Sequence, residues 1–339
     1  MSLNPTEWFT EIFQNEGTAF SLQIKKHLHN EQSKYQTLDI YDTETFGKLM
    51  DIDGCVMLTQ RDNFFYHEMM SPPALFNHSQ PKNVVIIGGG VVGVSALYHL
   101  AKSGWADCVL LEKNELTAGS TWHAAGLLPL FNMSYATTHI HKYSVDFYKK
   151  LEEETGLNAG FAVVGNLRMA QTDARMDEYM LYSSIAETAG VYHEFLSPTE
   201  ISDRWPLVRS DDLTGALFHP QDGSINPADV TQAMAKGARQ HGAVIERRWQ
   251  ADAYEWTGSE WRVTLTKMVE RGGNLVPSDE QVVVTAEHVV TCTGNHAQRT
   301  ARLLGIKIPA IPVEHQFIVT EPDPALVKWR AEGNPEHPV

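Results

Sequence analysis

The feature that most constrains the fold is a glycine-rich turn between a short apolar segment and a helical one. Residues 82–87 are mostly β-branched and apolar, which predicts a buried strand of a parallel sheet. Three glycines with the spacing G-x-G-x-x-G follow at Gly88, Gly90 and Gly93. Residues 94–102 then predict a helix, and residues 108–111 predict a second buried strand that ends at Glu112. This order predicts a Rossmann-type βαβ unit that binds a dinucleotide.

Each position of the motif has a physical reason. Gly88 permits the tight turn, Gly90 lets a pyrophosphate approach the backbone, and Gly93 lets helix and strand pack closely. The first turn of the helix adds unpaired N–H groups and a partial positive charge, which favour phosphate binding. Glu112 lies about twenty residues further on, where a carboxylate accepts a ribose hydroxyl. We therefore predict a cofactor site formed by Gly88, Gly90, Val91, Val92, Gly93, Glu112 and Lys113.

The residues after Glu112 narrow the choice of cofactor. Residues 114–126 are small, polar and glycine-rich, so they can lie across a long cofactor, whereas a nicotinamide domain usually continues into its next helix. This segment resembles the flavin-contacting segment of the dimethylglycine and sarcosine dehydrogenases, within the FAD-dependent D-amino-acid-oxidase-like family. The resemblance implies that FAD is bound and that His123 carries it covalently through the flavin 8α-methyl group. A neutral imidazole nitrogen is a competent nucleophile for this bond; the alternative is a histidine that only packs or donates a hydrogen bond.

The same resemblance extends over residues 83–339 and implies further roles. FAD would also contact Gly119, Ser120, Thr121, Gly126, Leu127, Ala251 and Gly294. The substrate would be an N-methylated glycine, oxidised by hydride transfer from a methyl C–H to the flavin, with the electron acceptor left open. A cation should hold the substrate carboxylate, and Arg168 is the candidate, although a surface strand residue is an equal interpretation. His315 could lie near the flavin, but a core histidine is the simpler interpretation.

Composition and charge exclude several classes of partner. The chain has 339 residues, enough for two domains, and a net charge of −15, which argues against nucleic acid or an anionic membrane surface as a partner. No run of eighteen apolar residues occurs, and the first twenty residues contain no basic side chain, so neither a transmembrane helix nor a targeting peptide is predicted. Three widely spaced cysteines, Cys55, Cys108 and Cys292, give no disulfide or zinc pattern. We expect a cytoplasmic protein.

The first 80 residues predict a different kind of domain. Residues 33–42 alternate like a strand, Asp53-Gly54 predicts a hairpin turn, and residues 61–70 predict a short helix. This order, with the sequences at 33–36, 49–54 and 60–70, resembles the N-terminal part of spermidine synthase, the polyamine aminopropyltransferase, over residues 8 to about 90. The resemblance implies homo-oligomer contacts through this domain and a substrate site lined by Gln36, Tyr66 and His67.

The two resemblances meet at the strand that leads into Gly88. Spermidine synthases have an acidic residue after the glycines, where Val91 stands here, and valine cannot bind a charged amine. The first 80 residues favour aminopropyl transfer as an alternative function, and Val91 opposes it. A non-catalytic fusion whose N-terminal domain only oligomerises is a further alternative. Relative to the oxidoreductases, the sequence ends before the remaining substrate sheet, so we expect an incomplete FAD domain and at most partial covalent loading.

The fold predicted for the whole chain is α/β. A small β-rich domain at residues 1–80 precedes a Rossmann-type FAD-binding domain of the D-amino-acid-oxidase-like kind at residues 81–339. A mixed β-sheet substrate region is attached to it, within roughly residues 160–220 and 311–339. Finer predictions include core positions for Met176 and Met180, a turn at residues 222–224, a polar loop at 270–279 and a strand at 311–320.

Overall fold

The chain divides into two units, Met1–Gln80 and Pro81–Val339, each with its own β-sheets. The computed structural model describes residues 4, 7–13, 18–32, 36–59, 83–105, 107–130, 135–188, 190–314, 316, 318 and 320–339. The predicted helix over residues 61–70, with Tyr66 and His67, therefore lies outside the described residues, and so does His315, whether it is a core histidine or lies near the flavin.

The N-terminal unit is built on a five-stranded antiparallel sheet with its strands in sequence order. The strands are β1 (Trp8–Phe13), β2 (Thr18–Gln32), β3 (Thr37–Thr43), β4 (Gly47–Ile52) and β5 (Cys55–Thr59). The predicted hairpin between β4 and β5 is confirmed. Asp53 and Gly54 both have positive φ, 54° and 86°, which suits the type I′ turn that twists with its strands. Phe9, Leu22 and Leu49 form the buried core of this sheet.

The second unit contains a four-stranded parallel sheet in the order β14-β7-β6-β18. Its strands are β6 (Val84–Ile87), β7 (Cys108–Glu112), β14 (Val244–Arg247) and β18 (His288–Thr291). Helices α1 (Val91–Lys102) and α5 (Pro227–Gln240) pack against each other so closely that a Cβ at Gly237 would lie 2.5 Å from the Tyr98 ring. The predicted Rossmann order of strand, glycines, helix and strand is confirmed.

A three-stranded antiparallel sheet covers part of the parallel sheet. It consists of β15 (Trp249–Trp256), β16 (Trp261–Arg271) and β17 (Asn274–Ala286). Val263 and Leu265 pack against Val85, Ile87 and Leu111 of the parallel sheet in one buried cluster. Because all these side chains are less than a tenth exposed, this cluster fixes the strands that lead into the glycine turn.

Two small antiparallel sheets form the region predicted to face the substrate. One has the order β10-β12-β11, with β10 (Asn166–Ala170), β11 (Glu194–Leu196) and β12 (Gly215–His219); the other has the order β8-β13-β9, with β8 (Leu127–Leu128), β9 (Ala162–Val163) and β13 (Gly223–Ser224). Helix α3 (Asp173–Thr188) packs on the first sheet, with Tyr179 in the same buried cluster as Leu217 of β12. Helix α4 (Pro198–Arg204) also packs on it, with Ile201 in the same buried cluster as Phe218 of β12. The described residues also form helices α2 (Tyr135–Thr155), α6 (Ala297–Leu304) and α7 (Pro324–Ala331).

Several detailed predictions in this unit are wrong. The predicted loop at 270–279 is mostly strand, because Gly272 and Gly273, with φ of 59° and 77°, close β16 and β17 in a tight turn. The predicted turn at 222–224 contains β13, which pairs with β8 and β9. Met180 is 60% exposed rather than buried, whereas Met176 packs beside Tyr179 as predicted.

The predicted strand at 311–320 is also wrong, since the described residues of that segment have no regular structure. Edge pairing occurs later, where the Val339 N–H donates to the Gly165 carbonyl at 3.0 Å and the Val339 carbonyl accepts the Leu167 N–H at 2.9 Å. Val339 thus lies beside β10 in strand-like pairing. Among the described residues, no helix has the length and apolar character to cross a membrane, and no cluster of His, Cys, Asp and Glu is placed to hold a metal ion.

Candidate cofactor site

The glycine turn is shaped by close backbone contacts. Gly88 has φ of 120° and donates its N–H to the Leu111 carbonyl at 2.9 Å. A Cβ at Gly88 would lie 2.2 Å from the Cys292 carbonyl oxygen, and one at Gly93 would lie 2.0 Å from the Gly88 carbonyl oxygen. No side chain fits at either position without moving backbone, so these two glycines bring β6, β18 and α1 together.

The N-terminus of α1 is open to an anion. Its first turn contains no acidic side chain, and the amides of Val92 and Gly93 have no acceptor within the helix. The Val91 N–H instead donates to the Thr121 hydroxyl at 3.0 Å. Thr121 therefore ties the predicted flavin-contacting segment to the predicted pyrophosphate turn, and Gly90 faces the same hydroxyl.

Glu112 links the turn to the end of β7. Its Oε2 accepts the Gly89 N–H at 2.6 Å, and its Oε1 accepts the Asn114 N–H at 2.8 Å. Sequence reasoning missed this structural role, because the motif assigns the carboxylate only to a ribose hydroxyl. Each carboxylate oxygen has two acceptor positions, so the half-buried side chain can still accept a hydroxyl.

A lysine and a histidine meet beside this carboxylate. The Lys113 Nζ lies 2.8 Å from the His296 Nε2, and because an ammonium group only donates, the imidazole nitrogen accepts. Partial burial lowers the pKa of Lys113 and the pKa of His296, and the positive charge of Lys113 lowers the pKa of His296 further. His296 belongs to the short 3-10 turn Gly294–His296 after β18, so the predicted contact Gly294 and the unpredicted His296 lie in one turn.

The segment from Gly119 to Leu127 is mostly exposed and is tied to the glycine turn through Thr121. Ser120–His123 is a 3-10 helix, and the His123 Nδ1 lies 3.0 Å from the Gly119 carbonyl oxygen. Because a carbonyl can only accept, Nδ1 carries the proton and Nε2 carries the lone pair in neutral His123. Trp122 is 60% exposed beside it, with ring centroids 5.3 Å apart.

The chain after His123 is fixed by Gly126. The Gly126 carbonyl accepts the Ile225 N–H at 2.8 Å, and a Cβ at Gly126, where φ is 74°, would lie 1.9 Å from the Ile225 carbonyl oxygen. Leu127 then pairs with Ser224 and remains 52% exposed. Close backbone approach therefore requires glycine here, a constraint that the local sequence does not reveal.

Two predicted site residues lie on other elements. Ala251 lies in β15 and packs against the buried cluster between the two sheets. Arg168 lies in β10, half-buried and opposite Leu217. Its charge acts on two fully buried side chains that the sequence analysis did not select, Asp222 and His219. Burial raises the pKa of Asp222 to about 7 and lowers the pKa of His219 to about 4. The Asp222 carboxylate accepts the Leu130 N–H, which lies 92 residues away in sequence. A local sequence pattern cannot reveal a contact over that distance.

Comparison with known proteins decides the family. The family model described as FAD dependent oxidoreductase matches residues 83–339. The chain belongs to this family. Residues 7–60 match a second model, described as the spermidine synthase tetramerisation domain, so both resemblances found in the sequence are confirmed.

Individual relatives agree with this division. Mitochondrial dimethylglycine dehydrogenase of Rattus norvegicus is 36% identical over 263 residues, which are 77% of this chain and 29% of that protein. Polyamine aminopropyltransferase of Thioalkalivibrio sulfidiphilus is 66% identical over 93 residues, 27% of this chain and 32% of that protein. The crystal structure of L-proline dehydrogenase from P. horikoshii superimposes with a TM-score of 0.56 at 25% identity, covering 67% of this chain and 57% of the other. The chain thus spans less than a third of the two curated relatives, and the predicted α/β fold class is confirmed.

The residues present fit the dinucleotide part of the family's cofactor. The turn at Gly88–Gly93 has no side chains that would block a pyrophosphate, apart from the two valines that begin α1. The amides of the first turn of α1, which have no acceptor within the helix, and the acceptor Glu112 lie at the carboxyl ends of β6 and β7. This edge of a parallel sheet is where dinucleotides bind in open α/β folds.

Proposed function

We propose that residues 81–339 bind FAD and oxidise an N-methyl amine of a glycine derivative, and that residues 1–80 form a separate N-terminal domain. The observation that supports the cofactor most directly is the glycine turn at the end of β6, whose Gly89 is held by Glu112. Membership of the FAD dependent oxidoreductase family and the 36% identity to dimethylglycine dehydrogenase support the reaction class.

The chain would hold FAD with groups from three segments. Val92 and Gly93 would donate backbone N–H groups to the pyrophosphate, and Glu112 would accept a ribose hydroxyl. Bound FAD would supply the two-electron acceptor for the C–H oxidation. Exposed Trp122 and Leu127 flank His123 along the chain and offer apolar surface to a planar ring.

His123 is our proposed covalent attachment site. Two observations support this role. His123 is exposed, and because its Nδ1 donates to the Gly119 carbonyl, the lone pair of the neutral imidazole lies on Nε2. We expect acid precipitation of purified FAD-loaded protein to leave yellow colour in the pellet, with one FAD mass on the peptide that carries His123. His123→Ala should abolish this label, whereas His29→Ala, which changes an exposed histidine of β2, should keep it. Attachment at another residue would contradict the assignment.

The substrate assignment has its own test. Dimethylglycine and sarcosine should bleach the visible flavin absorbance of the loaded protein under anaerobic conditions, and dimethylglycine should release formaldehyde after hydrolysis of its oxidised product. Unmethylated glycine is the matched control and should not bleach it. An unbleached flavin with both N-methylated compounds would exclude this substrate class. Arg168 as the holder of the substrate carboxylate remains a prediction.

Aminopropyl transfer is the second candidate, favoured by the 66% identity over 93 residues to a polyamine aminopropyltransferase and by the domain match over residues 7–60. Opposing it, Val91 begins α1 with an apolar side chain, where that chemistry needs a carboxylate for an ammonium group. A visible spectrum of the purified protein separates the candidates. A flavin band supports the first, while its absence together with spermidine formation supports the second.

We also propose that the N-terminal domain forms a homo-oligomer. Strand β2 pairs with β1 only over residues 18–23 and with β3 over residues 24–32, so each half leaves one edge open among the described residues. Open edges pair readily with other strands. The match to a tetramerisation domain supports this proposal. Light scattering after size exclusion should give a multiple of the 37.9 kDa chain mass; a monomer at micromolar concentration would contradict it.

A further inference from the structure

Two basic side chains meet beside the glycine turn with no acid between them. The Lys113 Nζ lies 2.8 Å from the His296 Nε2, and neither side chain has a carboxylate at ion-pair distance in the part of the chain that the structure describes. An ammonium and an imidazole repel each other as soon as the imidazole is protonated. Such a pair suits a site that an anion completes.

The pair joins the two strands on either side of β6. Lys113 follows directly after β7, and His296 ends the short turn after β18. Because β7 and β18 are both neighbours of β6 in the sheet, their backbones lie roughly 9–10 Å apart. The two side chains therefore reach towards each other from both sides of the strand that leads into the glycine turn.

His296 is held by its backbone and is open to a ligand. Its N–H donates to the Thr293 carbonyl at 2.9 Å, and its carbonyl accepts the Thr300 hydroxyl at 3.5 Å, so the turn is fixed on both sides. The residue is exposed, and Lys113 is half-buried. An incoming ligand can therefore reach the imidazole without disturbing the core.

The surrounding charges favour a neutral imidazole until an anion arrives. Desolvation lowers the pKa of His296, and the ammonium of Lys113 lowers it further. Arg299, which is paired with Asp252 at 2.8 Å, acts in the same direction, and Glu112 opposes it. Because the ammonium donates to Nε2, the ring proton of neutral His296 lies on Nδ1. Nε2 is thus the nitrogen that a second proton would occupy.

We propose that His296 is a further cofactor-binding residue, which forms with Lys113 a receptor for the phosphate groups of the dinucleotide and takes up a proton when they bind. The inference rests on the proposed function for the identity of the cofactor. A phosphate oxygen would replace Nε2 as the acceptor of the Lys113 ammonium. The freed Nε2 would then take a proton from solvent and donate it in a hydrogen bond to phosphate, so that the charge gained by the ring offsets negative charge of the ligand.

Proton uptake makes FAD affinity depend on pH in one direction. Bound phosphate would raise the pKa of His296 above its value in the free protein. FAD then binds most tightly below the free-state pKa, and its affinity falls as pH rises through the bound-state pKa. A rise of about one pKa unit on binding corresponds to about a tenfold change in Kd. The pyrophosphate diester of FAD keeps its charge near neutral pH, so this change reports on the protein.

FAD titrations of the full-length protein between pH 5.5 and pH 8.5 test this proposal. Every protein carries His123→Ala and is freed of FAD, so that covalent attachment cannot conceal the equilibrium. We expect Kd to be about tenfold lower at pH 5.5 than at pH 8.5, and calorimetry in two buffers of different ionisation enthalpy to detect proton uptake. Both effects should disappear in His296→Gln, because the amide keeps an acceptor for Lys113 but does not titrate. His241→Gln, which removes an exposed histidine at the end of α5, is the matched control and should keep both.

ADP-ribose separates this proposal from the proposed function, because it has the adenosine and the pyrophosphate diester of FAD but no flavin. The same pH dependence and proton uptake with both ligands, lost in His296→Gln, support the receptor. FAD binding that does not depend on pH, or depends on it equally in His296→Gln, overturns the receptor and leaves the proposed function standing. A pH dependence with FAD but not with ADP-ribose also overturns it, since the proton then belongs to the flavin end. Binding of ADP-ribose alone, with the dependence on His296, contradicts the FAD assignment and supports the receptor, whereas binding of neither ligand overturns both.

Discussion

Removing the Glu112 carboxylate should weaken both folding and FAD binding, because this side chain holds the glycine turn and is proposed to accept a ribose hydroxyl of FAD. One oxygen accepts the N–H of Gly89 at 2.6 Å and the other accepts that of Asn114 at 2.8 Å. In Glu112→Ala the N–H of buried Gly89 loses its acceptor, while that of half-buried Asn114 can turn to water. A buried unsatisfied donor costs about 1–3 kcal/mol, so we expect the unfolding free energy to fall by about 2 kcal/mol.

The effect on FAD adds to this loss. A ribose hydroxyl bonded to a charged acceptor contributes about 1.5–3 kcal/mol, which corresponds to roughly a 10- to 100-fold rise in Kd. The sequence motif alone would predict little loss of stability, since it assigns Glu112 only to the ribose. Urea unfolding of the FAD-free protein and fluorescence titration with FAD measure the two effects separately.

A nearby acid provides the control. Glu115 forms surface ion pairs with Arg247 and Arg248, and exposed pairs contribute about 0–1 kcal/mol. Glu115→Ala should therefore leave FAD affinity unchanged and reduce stability only slightly. Unchanged stability in Glu112→Ala would refute its support of the turn, and unchanged FAD affinity would refute its contact with ribose.

Further predictions concern Gly126, the buried carboxyl group of Asp51 and aminopropyl transfer. Gly126→Ala should lower the unfolding free energy by more than about 3 kcal/mol, whereas Gly104→Ala should lower it by about 1 kcal/mol. Both glycines have positive φ, but only at Gly126 would the added Cβ meet backbone, that of Ile225. Urea unfolding of the two variants measures the difference. Burial and neighbouring carboxylates raise the pKa of Asp51 to about 6. The folded wild type should therefore lose stability as pH rises from 4 to 7, because Asp51 must ionise while buried, whereas Asp51→Asn should not lose this stability. Thermal melts across this pH range measure the difference. Purified protein should form no spermidine from putrescine and decarboxylated S-adenosylmethionine, since Val91 offers no negative charge; detection of spermidine by mass spectrometry would overturn this.

Local signals predicted the cofactor side of the fold well. The glycines, the strand before them and the acid after them are contiguous, and the structure brings them together in the predicted order. The start of α5 at Asn226-Pro227 has the same local character, because Asn226 Oδ1 accepts the Ala228 and Asp229 N–H groups at 2.9 and 3.2 Å and Pro227 begins the helix. Such features depend on neighbours in sequence, which a pattern can capture.

Contacts between distant segments were not predictable in the same way. Thr121 bonds to Val91 across 30 residues, and Asp222 bonds to Leu130 across 92. A polar side chain in a turn-like sequence such as Asp222-Gly223 predicts exposure, and the structure instead buries the carboxylate completely. Tertiary pairing of β13 with two other strands overrides the local turn preference here.

This contrast separates the two halves of the proposed reaction. The proposed cofactor contacts come largely from one stretch, residues 84–126, where backbone groups would do most of the binding and the glycines leave room for the cofactor. The sheets predicted to face the substrate join β8, β9, β10 and β12, whose residues are separated by up to 92 positions, and side chains such as Asp222 help to hold them. Substitutions in the first group should therefore change FAD affinity for any substrate. Changes at β10 and β12 should instead alter which amine is oxidised.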